Sequence, residues 1–430
     1  MNSEMKSLTT GLVRLLRWSE KYTKTDMVYL FQSGVWNNLS VIIPSIFALF
    51  LSIAFANFLP KEVYGTYQYL LSLSALVTAF GLGGMQHALV QSIARGNEGD
   101  LRVALKAQLK WNFVPMGVGL IGALYYALHG NWVVAGGFIV IAIFAPLTSA
   151  FNTYGALLSG KREFKRFFLY GLIANLAYYA AMFIAIIFFK QALVLIFINL
   201  AINTAAAIYL YRRTLTFAKP NSQTDPGTVR YGAHLSVMNA FVSIMTQLDS
   251  ILVFHFLGAA QLAVYSFATF IPERMGALSS FIGTSAYPKY AQRSLGEIQR
   301  SIVPQTLRAA AFGVLVMIAY ILVAPFLFHI LFPKYLDALP YTQWYAPVIL
   351  LMAANLVSLA LAAQRRKTEL YILSFVNPIL LITLQIPLLL LYGIWGMLAA
   401  RLITDLVGIL LGIVLIRRTP HESSPVESHS

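Results

Sequence analysis

Cysteine is absent from the whole chain, which excludes disulfides and thiolate metal sites and leaves the redox compartment unmarked. Charge is scarce as well: 11% of the 430 residues are charged against 58% hydrophobic. A soluble globule of that size needs more polar surface, whereas a protein whose solvent is lipid does not. Also missing are a Walker phosphate loop, a nucleophile elbow, and any histidine pair with metal-ligand spacing backed by a carboxylate. ATP hydrolysis, covalent catalysis and metal chemistry therefore have no foothold, and a non-enzyme without cofactors is expected. His87 falls near the predicted inner end of its span, where a solvated imidazole is expected rather than a proton relay. His255 and His329 fall near predicted outer ends.

What the chain has in abundance is long apolar runs. A helix crossing a ~30 Å hydrocarbon core needs roughly 18 to 25 residues at about 1.5 Å each. Twelve stretches qualify: 33–58, 67–91, 109–128, 132–158, 167–189, 192–211, 233–257, 264–287, 306–331, 341–362, 370–391 and 394–416. They lack the alternation of a barrel strand, and lipid forces backbone polar groups to pair locally, so all twelve read as helices.

Basic residues orient the set. With the N-terminus inside, every lysine and arginine falls on an inner segment except Lys61, Lys190 and Lys334 outside and Arg274 and Arg401 within spans. Both termini are thus expected to be cytoplasmic. The net charge of +15 is spread along inner loops beside an anionic leaflet, which accounts for it without nucleic acid. Residues 1–26 place Leu8, Leu12, Leu15 and Leu16 at helical spacing among Arg14, Arg17 and Lys21, the pattern of an interfacial helix or a loose basic arm. The polar tail 419–430 reads as disordered.

The chain also repeats itself. Phe58, Leu59 and Tyr67 of "FLPKEVYGTY" recur as Phe256, Leu257 and Tyr265 of "FLGAAQLAVY", and the same displacement carries Arg95, Lys110 and Arg102 onto Arg293, Arg308 and Arg300. Such agreement at one offset argues for duplication. Each half holds six spans, an even number, so the two halves share a direction and are related by a pseudo-twofold axis along the membrane normal. The expected organisation is an N-lobe over 27–211, a polar interlobe linker over 212–231 and a C-lobe over 232–418.

On these residues the chain resembles a known family. "FANFLPKEVYGTYQYLLSLSAL" and "QLDSILVFHFLGAAQLAVYSFA" look like the two half-signatures of the multidrug/oligosaccharidyl-lipid/polysaccharide (MOP) exporter superfamily, and within it the chain is most similar to the Wzx-type polysaccharide and O-antigen flippases. The resemblance implies a V-shaped, MATE-like pair of lobes in the bacterial inner membrane. It implies alternating access that moves undecaprenyl-pyrophosphate-linked oligosaccharide from the cytoplasmic to the outer leaflet, for lipopolysaccharide or exopolysaccharide synthesis. Membrane lipids, and possible partnership with polysaccharide polymerase and chain-length proteins, follow from the same resemblance. Cation-coupled multidrug export is the alternative within the superfamily. The first span, however, offers Asn37, Asn38 and Ser45 where such antiporters commonly carry a carboxylate. Peptidoglycan-precursor flippases of the superfamily typically have fourteen helices, against twelve read here.

Five charged residues fall well inside predicted spans, away from their ends, all in the C-terminal half: Asp249, Glu273, Arg274, Arg401 and Asp405. Intramembrane charge is costly and marks a functional site by default. Measured from the predicted outer ends, Asp249 and Arg274 lie at equal depth and can pair, while Arg401 and Asp405, four apart, share a helix face. In the functional reading Arg274 and Arg401 line a wet cavity and attract the pyrophosphate or an acidic sugar, and Asn37 and Asn38 can hydrogen-bond sugar hydroxyls there, although bridging helices is the commoner use. Asp249, Glu273 and Asp405 then tune the two arginines, or couple transport to H+ or Na+. In the structural alternative the same charges are neutralised pairs that lock helices together. Asn175, Gln247, Asn355 and Gln385 can meet sugar hydroxyls, although bridging helices is their commoner use. Pro44, mid-helix, is a hinge candidate.

Overall fold

The computed structural model describes residues 27–277, 290, 293–351, 354–364 and 366–418. The arm 1–26 and the tail 419–430 lie outside the described residues. Within them the chain is helical without strands, as expected where lipid leaves each segment to satisfy its own backbone.

The N-lobe runs α1 (Met27–Phe58), α2 (Lys61–Ala79), α3 (Met85–Ala94), α4 (Asp100–Trp111), α5 (Phe113–Leu128), α6 (Trp132–Phe151), α7 (Tyr154–Gly160), α8 (Phe164–Phe188) and α9 (Ala192–Ala218). The C-lobe runs α10 (Gly227–Leu257), α11 (Ala259–Ala277), α12 (Leu295–Leu331), a 3-10 turn Pro333–Ala338, α13 (Leu339–Tyr345), α14 (Val348–Leu351), α15 (Ala354–Ala363), α16 (Lys367–Tyr392) and α17 (Ile394–Arg418). Each predicted span falls on one of these helices or on a consecutive run of them. The eighth continues past α11 outside the described residues.

Several spans are broken by identifiable residues. The glycines of "FGLGG" separate α2 from α3, and the Trp111 indole donates to the freed Phe80 carbonyl at 3.0 Å. Among the described residues, eight helical segments are long and apolar enough to cross a membrane, or nine if the bent pair Pro333–Tyr345 and Val348–Ala363 is one span. The protein is a multi-pass membrane protein. Helix α1 counts there only as the shorter apolar stretch Ile42–Phe58, and α2 and α11, whose polar side chains line a cavity between the lobes, fall outside the set.

Three apolar cores show how the lobes meet. Near Phe58 a single core joins them, with Phe55, Leu59 and Tyr67 of the N-lobe packed among Phe267, Phe328 and Tyr335 of the C-lobe. Toward the opposite end the lobes keep separate cores. One is built on Met85, Leu89, Leu101 and Leu157, the other on Ile298, Ile302, Val357 and Ile416. Among the described residues this is a V, joined through one core at one end and parted into two cores at the other, where α10 still packs on α3 and Gly84 N donates to Ser236 Oγ at 2.9 Å. The parted end carries Arg95, Arg102, Lys106, Arg300 and Arg308, all exposed.

Helices intrude further into the linker region than its polarity suggests: α9 runs through Arg212 and Arg213 to Ala218, and α10 begins at Gly227. The residues between are tied to the N-lobe. Gly99 N donates to the Gln223 carbonyl at 2.9 Å. Asn221 N donates to Glu98 Oε2 at 3.1 Å. The carboxylate of Asp100, 1% exposed, accepts from Thr228 Oγ1 at 2.6 Å, from Asp225 N at 3.1 Å and from Ser92 Oγ. Removing this carboxylate strands two buried hydroxyls, at a cost of about 2 kcal/mol. Asp100→Ala is therefore expected to lower the melting temperature of the purified protein and to speed protease cutting within 219–226. Unchanged cutting would mean that the tie does not hold the linker.

Candidate functional site

Gly258 joins α10 to α11 with φ +87°, and Gly393 joins α16 to α17 with φ +58°. These are left-handed conformations that glycine adopts at little cost. Each lets the chain reverse within one residue, so depth can be counted from the turn. Asp249 then lies ~14 Å below the α10–α11 turn and Arg401 ~12 Å below the α16–α17 turn, at about 1.5 Å per residue. Arg274 lies ~22 Å deep, because α11 starts at Ala259, ahead of the predicted span 264–287.

The expected pairings are corrected accordingly. Asp249 does not take Arg274; its Oδ2 lies 3.5 Å from Arg401 Nη1 and accepts from the Tyr265 hydroxyl at 2.8 Å. Its other oxygen accepts from Ser250 N at 2.9 Å. Nor does Arg401 take Asp405. The same Nη1 donates to Glu273 Oε1 and to the Tyr265 hydroxyl at 3.2 Å, and the guanidinium lies 5.9 Å from the Tyr345 ring centre. Three acceptors on α10 and α11 occupy Arg401, and Asp405, one turn on and exposed, makes no ion pair among the described residues. A carboxylate as buried as Asp249, at 7% exposure, is tolerable because it is both paired and hydrogen-bonded.

Arg274 is placed differently. It is exposed, its guanidinium lies 5.5 Å from the Phe270 ring centre, and no carboxylate pairs with it among the described residues. It faces a cavity of about 630 Å³ between the lobes, which Asp249, Glu273 and Arg401 also line. The N-lobe side of this cavity is formed by Ser52, Tyr64, Gln68 and Tyr178 among others and carries no charge. Beyond the cavity toward Phe58 the lobes are closed on each other. Lys61 pairs with Asp337 at 2.6 Å, Asn57 donates to the Leu331 carbonyl at 2.9 Å, and the Tyr69 and Phe254 rings stack at 3.8 Å.

Other expected residues fall as follows. Asn37 and Asn38 lie on α1, their side chains outside the described residues. Pro44 sits in an unbroken α1, with its carbonyl accepting from the Tyr179 hydroxyl at 2.9 Å. His87 is exposed, and no acidic or histidine group among the described residues can hold a metal ion. Sequence reasoning missed Tyr265 as the acceptor and donor between Asp249 and Arg401, and missed the N-lobe network at the equivalent place. The repeat contains the signal: its displacement carries Tyr67 onto Tyr265 and Asn203 onto Arg401.

Known proteins resemble this arrangement. A family model described as polysaccharide biosynthesis protein matches residues 30–294. An inward-facing multidrug resistance MATE family transporter of the MOP superfamily superposes with a TM-score of 0.67 at 15% identity, covering 90% of this chain and 99% of that one. The lipid II flippase MurJ in an inward closed conformation gives 0.61 at 14% identity, over 89% and 87%. A MOP superfamily transporter from Pyrococcus furiosus, described as having a binding pocket of reverse polarity, gives 0.58 at 13%, over 91% and 96%. At these identities the structures share the fold. Among curated proteins there is no match.

Proposed function

This chain belongs to the polysaccharide biosynthesis protein family, and from that premise we propose that it is a flippase for lipid-linked glycan. It carries undecaprenyl-pyrophosphate-linked oligosaccharide from the cytoplasmic to the outer leaflet of a bacterial inner membrane, for surface polysaccharide synthesis. The observation that supports this reading is the interlobe cavity with an unpaired guanidinium, Arg274, on its wall. A planar fork of donors matches phosphate oxygens, and the cavity shields a charged head group from acyl chains that would exclude it.

Direction follows from charge. The parted end of the V bears the basic residues, so the positive-inside rule turns it to the cytoplasm and makes this the state that admits substrate. Closure of that end and opening at Lys61–Asp337 then release the head group outside. Arg401 belongs to the scaffold of the cavity rather than to its binding surface, since Asp249, Glu273 and Tyr265 already hold it.

A second reading has one observation in its favour. Asp249 and Glu273 both line the cavity, and carboxylates there suit a proton- or Na+-coupled exporter of small cations. Deleting the gene separates the two. The flippase reading expects the polyprenyl-linked unit to be made but stranded in the cytoplasmic leaflet, with drug resistance unchanged. Intact surface glycan together with altered drug resistance would transfer the assignment to the exporter.

A further inference from the structure

The two walls of the cavity descend from one duplicated unit and have diverged in opposite senses. The displacement that relates Tyr67 to Tyr265 also relates Ser52 to Ser250, Leu51 to Asp249, Leu76 to Arg274 and Asn203 to Arg401. Where the C-lobe builds an ionic cluster, the N-lobe builds a neutral one. Asn199 Nδ2 donates to the Tyr67 hydroxyl at 2.7 Å and to the Tyr178 hydroxyl at 3.4 Å. Asn203 Nδ2 in turn donates to the Asn199 carbonyl at 2.8 Å. Gln68 Nε2 donates to the Tyr64 hydroxyl at 2.5 Å. Tyr178 packs on Tyr179 with ring centres 5.1 Å apart, and Tyr179 stacks on Phe47 at 5.3 Å.

We propose that the walls divide one substrate between them: the C-lobe wall takes the pyrophosphate at Arg274, and the N-lobe wall takes the sugars next to it on Tyr178 and Gln68. This rests on the flippase reading and adds to it which lobe reads the glycan. A sugar is neutral, with an apolar face and a rim of hydroxyls. Ring faces meet the first and amide or phenol groups meet the second. A charged wall would instead have to be desolvated with no opposite charge to compensate it.

The dimensions suit the division. Arg274 lines the same cavity as Tyr178, Tyr179 and Gln68 of the N-lobe. A phosphate held there therefore leaves its first sugar beside those rings. At about 630 Å³, the cavity is of the size that holds a small molecule, about 300–1,000 Å³. That is room for the pyrophosphate and the nearest sugars, with the rest of the glycan projecting from the parted end. Gln68 and Tyr178 are half-buried and line the cavity, whereas Tyr67 at 1% exposure supports from behind.

The test uses the full-length protein in nanodiscs and two probes, bare undecaprenyl pyrophosphate and the lipid-linked glycan extracted from the source strain. Gln68→Ala with Tyr178→Leu is expected to weaken binding of the glycan-bearing lipid about tenfold and to leave the bare lipid unchanged, which also certifies the fold. Arg274→Ala is expected to weaken both probes alike. Equal loss for both probes in the N-lobe variant, or no loss for either, overturns the division of walls. If instead Arg274→Ala binds both probes normally while the N-lobe variant still discriminates, the sugar wall stands and the pyrophosphate assignment falls.

Discussion

Arg274→Ala is expected to stop glycan export while leaving folded protein at its normal level, whereas Arg401→Ala is expected to lose both. The two guanidinium groups line one cavity but differ in what holds them. Arg274 has only the Phe270 ring beside it among the described residues, so its removal unbalances no buried charge. What is lost is one forked, charge-assisted contact to phosphate, about 1.5–3 kcal/mol, or roughly 10- to 150-fold in affinity. Arg274→Lys keeps the charge without the fork and should fall between. Arg401, by contrast, neutralises Asp249 and Glu273 together. Its loss leaves Asp249 buried and unpaired, a change worth 3–5 kcal/mol for a dry pair and about 2 kcal/mol here, because Glu273 and the guanidinium keep contact with the cavity.

The rescue discriminates further. Adding Asp249→Asn and Glu273→Gln to Arg401→Ala is expected to restore much of the melting temperature, since the stranded charges are gone. Export assays and melting of the purified variants give the two readouts. Wild-type export from Arg274→Ala would remove the anion-binding role, and an Arg401→Ala protein of full stability would refute the scaffold role.

A comparably large effect is expected at Gly65. Here α2 and α11 cross so closely that a Cβ on Gly65 would stand 1.8 Å from the Ala259 carbonyl oxygen. Both atoms at that crossing are backbone, so no side-chain rotation relieves the clash. Gly65→Val must hold the two helices apart, and the penalty falls on the state that is closed at this end. Overpacking of about 1–3 kcal/mol confined to one state shifts its population by roughly 5- to 150-fold. The variant should remain folded, since most of each lobe's core lies elsewhere, yet rest open toward Lys61 and Asp337. The absence of native cysteine makes this readable without background. Spin labels on Lys61→Cys and Asp337→Cys should show a longer distance population in Gly65→Val than in the glycine parent. Identical distributions would mean that the crossing does not govern closure.

The all-helical, membrane-spanning character is legible because lipid leaves a coarse signature of long apolar runs and basic inner loops. The partners of the intramembrane charges are not, for a specific reason. The predicted span opens at 264, but α11 begins at Ala259, and the difference of more than a turn moves Arg274 away from Asp249 and leaves Arg401 level with it. Pairing Arg401 with Asp405 by spacing alone failed similarly, because spacing within one helix does not reveal acceptors on two others. Asp100 gave no signal at all, being one acid in a basic inner loop whose importance depends on a linker more than a hundred residues away returning to it. Tyr67, Asn199 and Tyr178 were hidden among the many tyrosines and asparagines of the spans, although the repeat displacement pointed at the first.

The account depends on substrate passing between the lobes, and a reversible lock tests that most directly. With Lys61→Cys and Asp337→Cys joined by a short thiol-cleavable cross-linker across the 2.6 Å ion pair they replace, the end near Phe58 cannot part. In sealed proteoliposomes, movement of undecaprenyl-pyrophosphate-linked glycan between leaflets should cease on cross-linking and resume on reduction. Movement that continues at the same rate with the lock closed would contradict the account.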